Sequence, residues 1–96
     1  MGKRITWSHD KSLWLREQKN RGGIGFEECA ILIEQGEILD IIQNPSDNFL
    51  HQRAYVLDIG GYAYCVPFVE DEEEIFLKTL YPNRKLTAFY LNKNLS

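Results

Sequence analysis

A chain of 96 residues holds one hydrophobic core, so residues 1–96 are read as a single domain. An apolar fraction of 44% argues against wholesale disorder, and no apolar run reaches membrane-spanning length. Fourteen acids against eleven bases leave a net charge of −3, which argues against general attraction to nucleic acid.

The first ten residues, "MGKRITWSHD", contain no signal-peptide apolar core. Met-Gly with Thr6 matches a myristoylation signal only loosely, so no lipid anchor and no membrane role are expected. "RITW" (Arg4 to Trp7) reads as a short strand. Ser8 or Asp10 then caps a helix, "DKSLWLREQKN", whose apolar side is Leu13, Trp14 and Leu15 and which stops at Gly22-Gly23. "FEECAILIEQG" is a second helix, with Phe26, Cys29, Ala30 and Ile33, and Ile31 as a further candidate, as its apolar stripe and Gly36 as its stop. Cys29 and Cys65 form no CxxC pair and are read as reduced, buried thiols of a cytoplasmic chain. With two histidines besides, they do not suggest a metal set, and no cofactor is expected.

"ILDIIQ" is a short β-branched strand, and "NPSDNFLHQ" is a loop opened by Asn44-Pro45. "RAYVLDI" and "YAYCVPFV" flank Gly60-Gly61, a strong hairpin signal, because primed turns need positive φ at both central residues. "EDEEE" is a solvated turn, "IFLKTLY" a last strand ended by Pro82, and "NRKLTAFYLNK" a closing helix capped by Asn83. The expected fold is α+β: an antiparallel sheet of consecutive hairpins, with two N-terminal helices and one C-terminal helix over one face.

A two-residue turn pairs Ile59 with Tyr62, Leu57 with Tyr64, Tyr55 with Val66 and Arg53 with Phe68, all on one face. Pairing Val69 with Ile75 across the acidic turn sets Lys78 opposite Val66, on that same face among the tyrosines. Pro67 cannot donate to a ladder and marks an edge or a bulge. The bases cluster towards the two ends of the chain. Lys3, Arg4, Lys11, Arg16, Lys19 and Arg21 precede Glu27, while Lys78, Arg84, Lys85 and Lys93 crowd the last stretch. Arg53 is the only base between Glu27 and Glu74. If the ends meet, they make a basic face on an acidic protein. Arg16, Lys19, Arg21 and Lys93 are read as solvated charges. Arg84 stands where the helix dipole disfavours a cation, a mild pointer to function.

These residues resemble the BrnT toxins, of the broad RelE/ParE-like class of toxin–antitoxin ribonucleases. That family opens with Trp, a short gap and Lys, here Trp7 and Lys11 of "WSHDK". A helix, a glycine turn and Phe-Glu follow, here "GGIGFEE" with Phe26 and Glu27. It then has an Arg opening a hairpin strand (Arg53), a basic strand residue (Lys78), and Arg-Lys before the last helix (Arg84, Lys85). Pro82-Asn83-Arg84 stands where the family has Ser-Ala-Arg, and Gly-Gly-Ile-Gly where it commonly has Lys-His-Gly-Val. The resemblance implies a RelE-like fold and a cytoplasmic ribonuclease toxin that inhibits translation. It also implies a cognate antitoxin as partner, with DNA reached only through that antitoxin.

On that reading RNA is cut without a metal, by attack of its own 2′-hydroxyl. Arg53 and Arg84 grip phosphate oxygens through forked donors, and Lys78 carries the proton because neighbouring arginines lower its pKa. Lys11 and Lys85 bind RNA, and Tyr64 or Tyr81 stacks a base or donates to the leaving oxygen. His51 is the alternative acid–base group, read here as a loop histidine, and His9 as a first-turn residue. The rival readings are a non-enzymatic binding module and a toxin acting on a protein target such as a topoisomerase.

Overall fold

The computed structural model describes residues 2–45 and 52–92. Strand β1 (Arg4–Trp7) leads into helix α1 (His9–Glu17), a 3-10 turn (Lys19–Arg21) and helix α2 (Phe26–Glu34). Strands β2 (Asp40–Gln43), β3 (Arg53–Ile59), β4 (Tyr62–Glu70), β5 (Glu74–Leu77) and β6 (Tyr81–Pro82) follow, and helix α3 (Arg84–Leu91) closes the described chain. The class is α+β, with three α-helices and a mixed six-stranded sheet in the order β1-β5-β4-β3-β2, β6 pairing with β4. His51 and Lys93 lie outside the described residues. No helix among the described residues is long and apolar enough to cross a membrane.

Local chemistry sets most of these elements. The Ser8 hydroxyl accepts from the Lys11 amide at the start of α1, and the Asn83 side chain accepts from Leu86 at the start of α3. Gly60 and Gly61 both have positive φ, at 64° and 87°, as a type I′ turn requires. The β3–β4 register is the one the two glycines predict, from Ile59 opposite Tyr62 to Arg53 opposite Phe68.

The sheet departs from consecutive hairpins at its edge. β1 pairs with β5 in parallel, Arg4 beside Glu74 and Trp7 beside Leu77, across nearly the whole chain. Nothing in either short strand encodes a partner so distant. The last expected strand is also two strands. From Phe68 to Cys65 on β4 is three steps, but their partners Leu77 and Tyr81 are four apart, so one extra residue bulges between β5 and β6.

Helices cover both faces of the sheet rather than one. On the first face Tyr55, Leu57, Tyr64, Val66, Phe68 and Leu77 meet Leu15 of α1 and Phe26 and Cys29 of α2 in the core. The alternating residues Val56, Ala63 and Cys65 are also fully buried. α3 crosses that second face: Thr87 bonds Ala63, and the Tyr90 hydroxyl bonds the Asp40 carboxylate on β2. α1 differs from its expected apolar side. Ser12 and Leu15 are its buried residues, while Leu13 and Trp14 face solvent. Two adjacent residues on a helix point about 100° apart, so Leu15 takes the core and its neighbours cannot.

Thr87 is the hinge of the second layer. Its buried hydroxyl accepts from the Ala63 amide at 2.9 Å and donates to the Asn83 carbonyl at 2.8 Å. Thr87→Val keeps the shape and orphans the Ala63 amide, so it is expected to lower unfolding free energy by roughly 1–3 kcal/mol, read from urea denaturation.

Candidate functional site

Lys78 does not share a face with Tyr55 and Tyr64. Glu70, not Val69, stands opposite Ile75, and this one-residue shift puts Leu77 on the core face and Lys78 on the other. The turn chemistry explains the shift. The Asp71 carboxylate accepts from the amides of Glu73 and Glu74, and the Asp71 amide donates to the Glu74 carbonyl. That aspartate tightens the acidic run into a defined turn, which a purely solvated run would not be. Lys78 is exposed, its ammonium 5.5 Å from the Phe76 ring centre, while its amide donates to the Pro67 carbonyl.

There Lys78 meets Lys11 of α1. The two line one shallow recess of about 200 Å³ with Asn44, Gln52, Pro67 and Thr79. Burial lowers the pKa of Lys11, and the charges of Arg21 and Lys78 lower it further. Arg21 is anchored from below, donating to the Leu80 carbonyl at 2.8 Å, and its guanidinium lies 5.8 Å from the Trp14 ring centre. Its charge also acts on Tyr81, whose phenol is pushed up by burial and by a hydrogen bond with Cys65. Lys11 and Lys78 thus share one recess, and Arg21 acts through its charge on Lys11 and on Tyr81.

The remaining predicted residues lie elsewhere. Arg53 forms an ion pair with Glu70, which also binds Lys3 at 2.9 Å, and its guanidinium stacks 5.2 Å from the Phe68 ring centre. It belongs to the opposite face of the sheet from Lys78. Arg84 and Lys85 are exposed in the first turn of α3, with no ion pair among the described residues. α3 follows β6, which meets β4 at Tyr64 and Cys65. Arg53 meets β4 at Phe68, about 10 Å further along the strand. Arg53, Lys78 and Arg84 therefore sit at three separate places. Tyr64 is 5% exposed and enclosed by the core, so neither ring face is open to a base.

Sequence reasoning left Arg21 among the solvated charges. The signal that finds it is the glycine beside it. Gly22 has φ +93°, and a Cβ there would lie 2.0 Å from the Tyr64 hydroxyl oxygen. Gly22 lets the chain fold back over Tyr64 and so presents Arg21 to Leu80. Gly22→Ala is expected to cost more than the roughly 1–2 kcal/mol of a left-handed residue, because the buried tyrosine cannot step aside. Adding Tyr64→Phe removes the colliding oxygen and should recover part of the loss in urea unfolding.

A separate polar network ties α1 to α2. The Ser12 hydroxyl donates to Glu27 at 2.7 Å and accepts from the Phe26 amide at 2.9 Å, and Arg16 bonds both Glu27 and Glu28. The Ser12 hydroxyl, then Arg16, hold the Glu27 carboxyl down at about 2. This network explains why Arg16 is structural. Among the described residues, no three His, Cys, Asp or Glu side chains group as metal ligands. Comparison with protein-family models, with curated proteins and with solved structures finds no match.

Proposed function

We propose that the chain is a ribonuclease toxin of the RelE/ParE-like class, cutting RNA through its own 2′-hydroxyl, with its working site at Lys11, Arg21 and Lys78. The observation that carries the reading is the meeting of Lys11 and Lys78, from distant segments of an acidic chain, at one recess, with the charge of Arg21 acting on Lys11. Such convergence leaves like charges side by side, a cost that a bound anion removes. Lys11, with its lowered pKa, suits the proton-abstracting role better than Lys78. Lys78 and Arg21 then steady the phosphorane, whose charge grows as the 2′-oxygen bonds to phosphorus and the bond to the 5′-oxygen breaks. Tyr81, held as a phenol by burial and by its hydrogen bond with Cys65, is assigned the return of a proton to that leaving oxygen. Arg84 and Lys85, just beyond Tyr81, take neighbouring phosphates along the strand.

The arrangement of α1 and α2 over the central strands, with α3 after the last strand, is read here as RelE-like. A cytoplasmic setting and a cognate antitoxin over the active face complete the reading.

One observation favours a second reading, a non-enzymatic binding module. Arg53 is already engaged by Glu70, so one predicted phosphate ligand is neutralised within the fold. Induction of the chain alone in a bacterial host separates the readings. Loss of RNA and of translation supports the nuclease. Growth arrest with intact RNA favours a protein target, and unimpaired growth favours the binding module.

A further inference from the structure

Trp14 is an exposed aromatic beside Arg21. On α1 it is three residues past Lys11, and side chains at that spacing are neighbours. Leu15 carries the helix's core contact, so Trp14 is not needed there. It remains 46% exposed although Arg21 occupies part of its surroundings at 5.8 Å. Arg21 is itself fixed by the Leu80 carbonyl, and the Gln18 amide bonds the Trp14 carbonyl at 3.2 Å. The result is an anchored guanidinium, an indole beside it with open surface, and the Lys11 ammonium about one helical turn away. Proteins that hold unpaired nucleic acid combine these parts: cations follow the backbone while aromatic faces take bases, whose stacking tolerates any sequence.

We propose that Trp14 is the platform on which an unpaired RNA base stacks, next to the phosphate grip of Lys11, Arg21 and Lys78. The proposal rests on the RNA reading above and adds a recognition element that the resemblance does not supply. It makes the preferred ligand single-stranded, because a base inside a duplex offers no free face to the indole.

The test is binding of a fluorescent eight-nucleotide single-stranded RNA carrying 2′-O-methyl groups throughout, so that it cannot be cut. Trp14→Ala is expected to weaken binding about 5- to 150-fold, the equivalent of one lost base stack. Trp14→Phe should retain most of the affinity. Inorganic polyphosphate, which has no bases, should bind the wild type and Trp14→Ala equally. Unchanged RNA affinity in Trp14→Ala, with cleavage of ordinary RNA intact, overturns the platform and leaves the nuclease standing. Equal weakening for RNA and polyphosphate also overturns it, because Trp14 would then act only by seating Arg21. A wild-type protein that neither binds nor cuts RNA overturns both readings. Circular dichroism of each variant verifies the fold, which an exposed helix residue does not support.

Discussion

Lys11→Ala is expected to lower RNA cleavage by on the order of 10²- to 10⁴-fold while leaving the fold intact, the range that a positioned acid–base group supplies. A lysine abstracts a proton only in its neutral form. Burial, then Arg21, then Lys78 bring that form within reach at lower pH than for an ordinary lysine. The cleavage rate should therefore rise with pH through the lowered Lys11 pKa. Arg21→Gln removes the second of those causes and leaves burial in place. The rising limb should then move to higher pH, with the rate near neutrality reduced. A Lys11 that merely held phosphate would behave differently: its alanine variant would lose substrate affinity and its pH profile would not respond to Arg21. Single-turnover cleavage across a pH series, on wild type, Lys11→Ala and Arg21→Gln, distinguishes the two. Lys19→Ala, an exposed charge outside the recess, is the control. Normal cleavage by folded Lys11→Ala removes the proton-carrier role.

Phe26→Ala is expected to cost about 3–5 kcal/mol, a large part of the roughly 5–15 kcal/mol that holds a domain of this kind together. Phe26 is fully buried at the first turn of α2, its ring centre 6.4 Å from that of Trp7 on β1. Its amide is held by the Ser12 hydroxyl, so the backbone cannot close readily on the space left behind. One residue thus joins α2 to the edge strand through its ring and to α1 through its amide. The loss reads out as a lower urea midpoint with an unchanged slope, followed by tryptophan fluorescence. Phe89→Ala is the counterpart: that residue is 77% exposed on α3, and its removal should change stability by no more than about 0.5 kcal/mol. Comparable losses in the two would mean that the core is not where the structure has it.

The contrast between the two hairpins indicates how far the residues alone could be read. Gly60-Gly61 has one favourable geometry, so the β3–β4 register and the face of every residue on it followed directly. Ser8 and Asn83 marked the starts of α1 and α3, and Gly36 the end of α2, for the same reason, since each is a local bond or a local dihedral; α1, expected to run to Gly22-Gly23, ends at Glu17, and Gly22 closes the 3-10 turn instead. The acidic turn has no glycine. Its register depends on which carboxylate captures the backbone, and five acids in a row offer several choices. Reading Val69 rather than Glu70 against Ile75 turned Lys78 to the wrong face and gathered Arg53 with it. The parallel β1–β5 pair was hidden because it joins segments about 70 residues apart, and short strands carry no local signal of so distant a partner. Arg21 was hidden because only its position under Leu80 and beside Trp14 distinguishes it from a solvated charge. Lys11 and Lys78 were both legible as candidates from their types and places in the chain. Their meeting at one recess was not, because it depends on that register.

The Asp71 turn carries a further implication. Loop sites rich in acid ordinarily absorb an inserted or deleted residue without consequence. Here the length of the loop acts as a parity setting for everything downstream until the bulge. One residue more or fewer would rotate an ammonium into the hydrocarbon interior and expel a leucine to water. A stretch that makes no contact with any proposed ligand is therefore constrained as tightly as the residues that would.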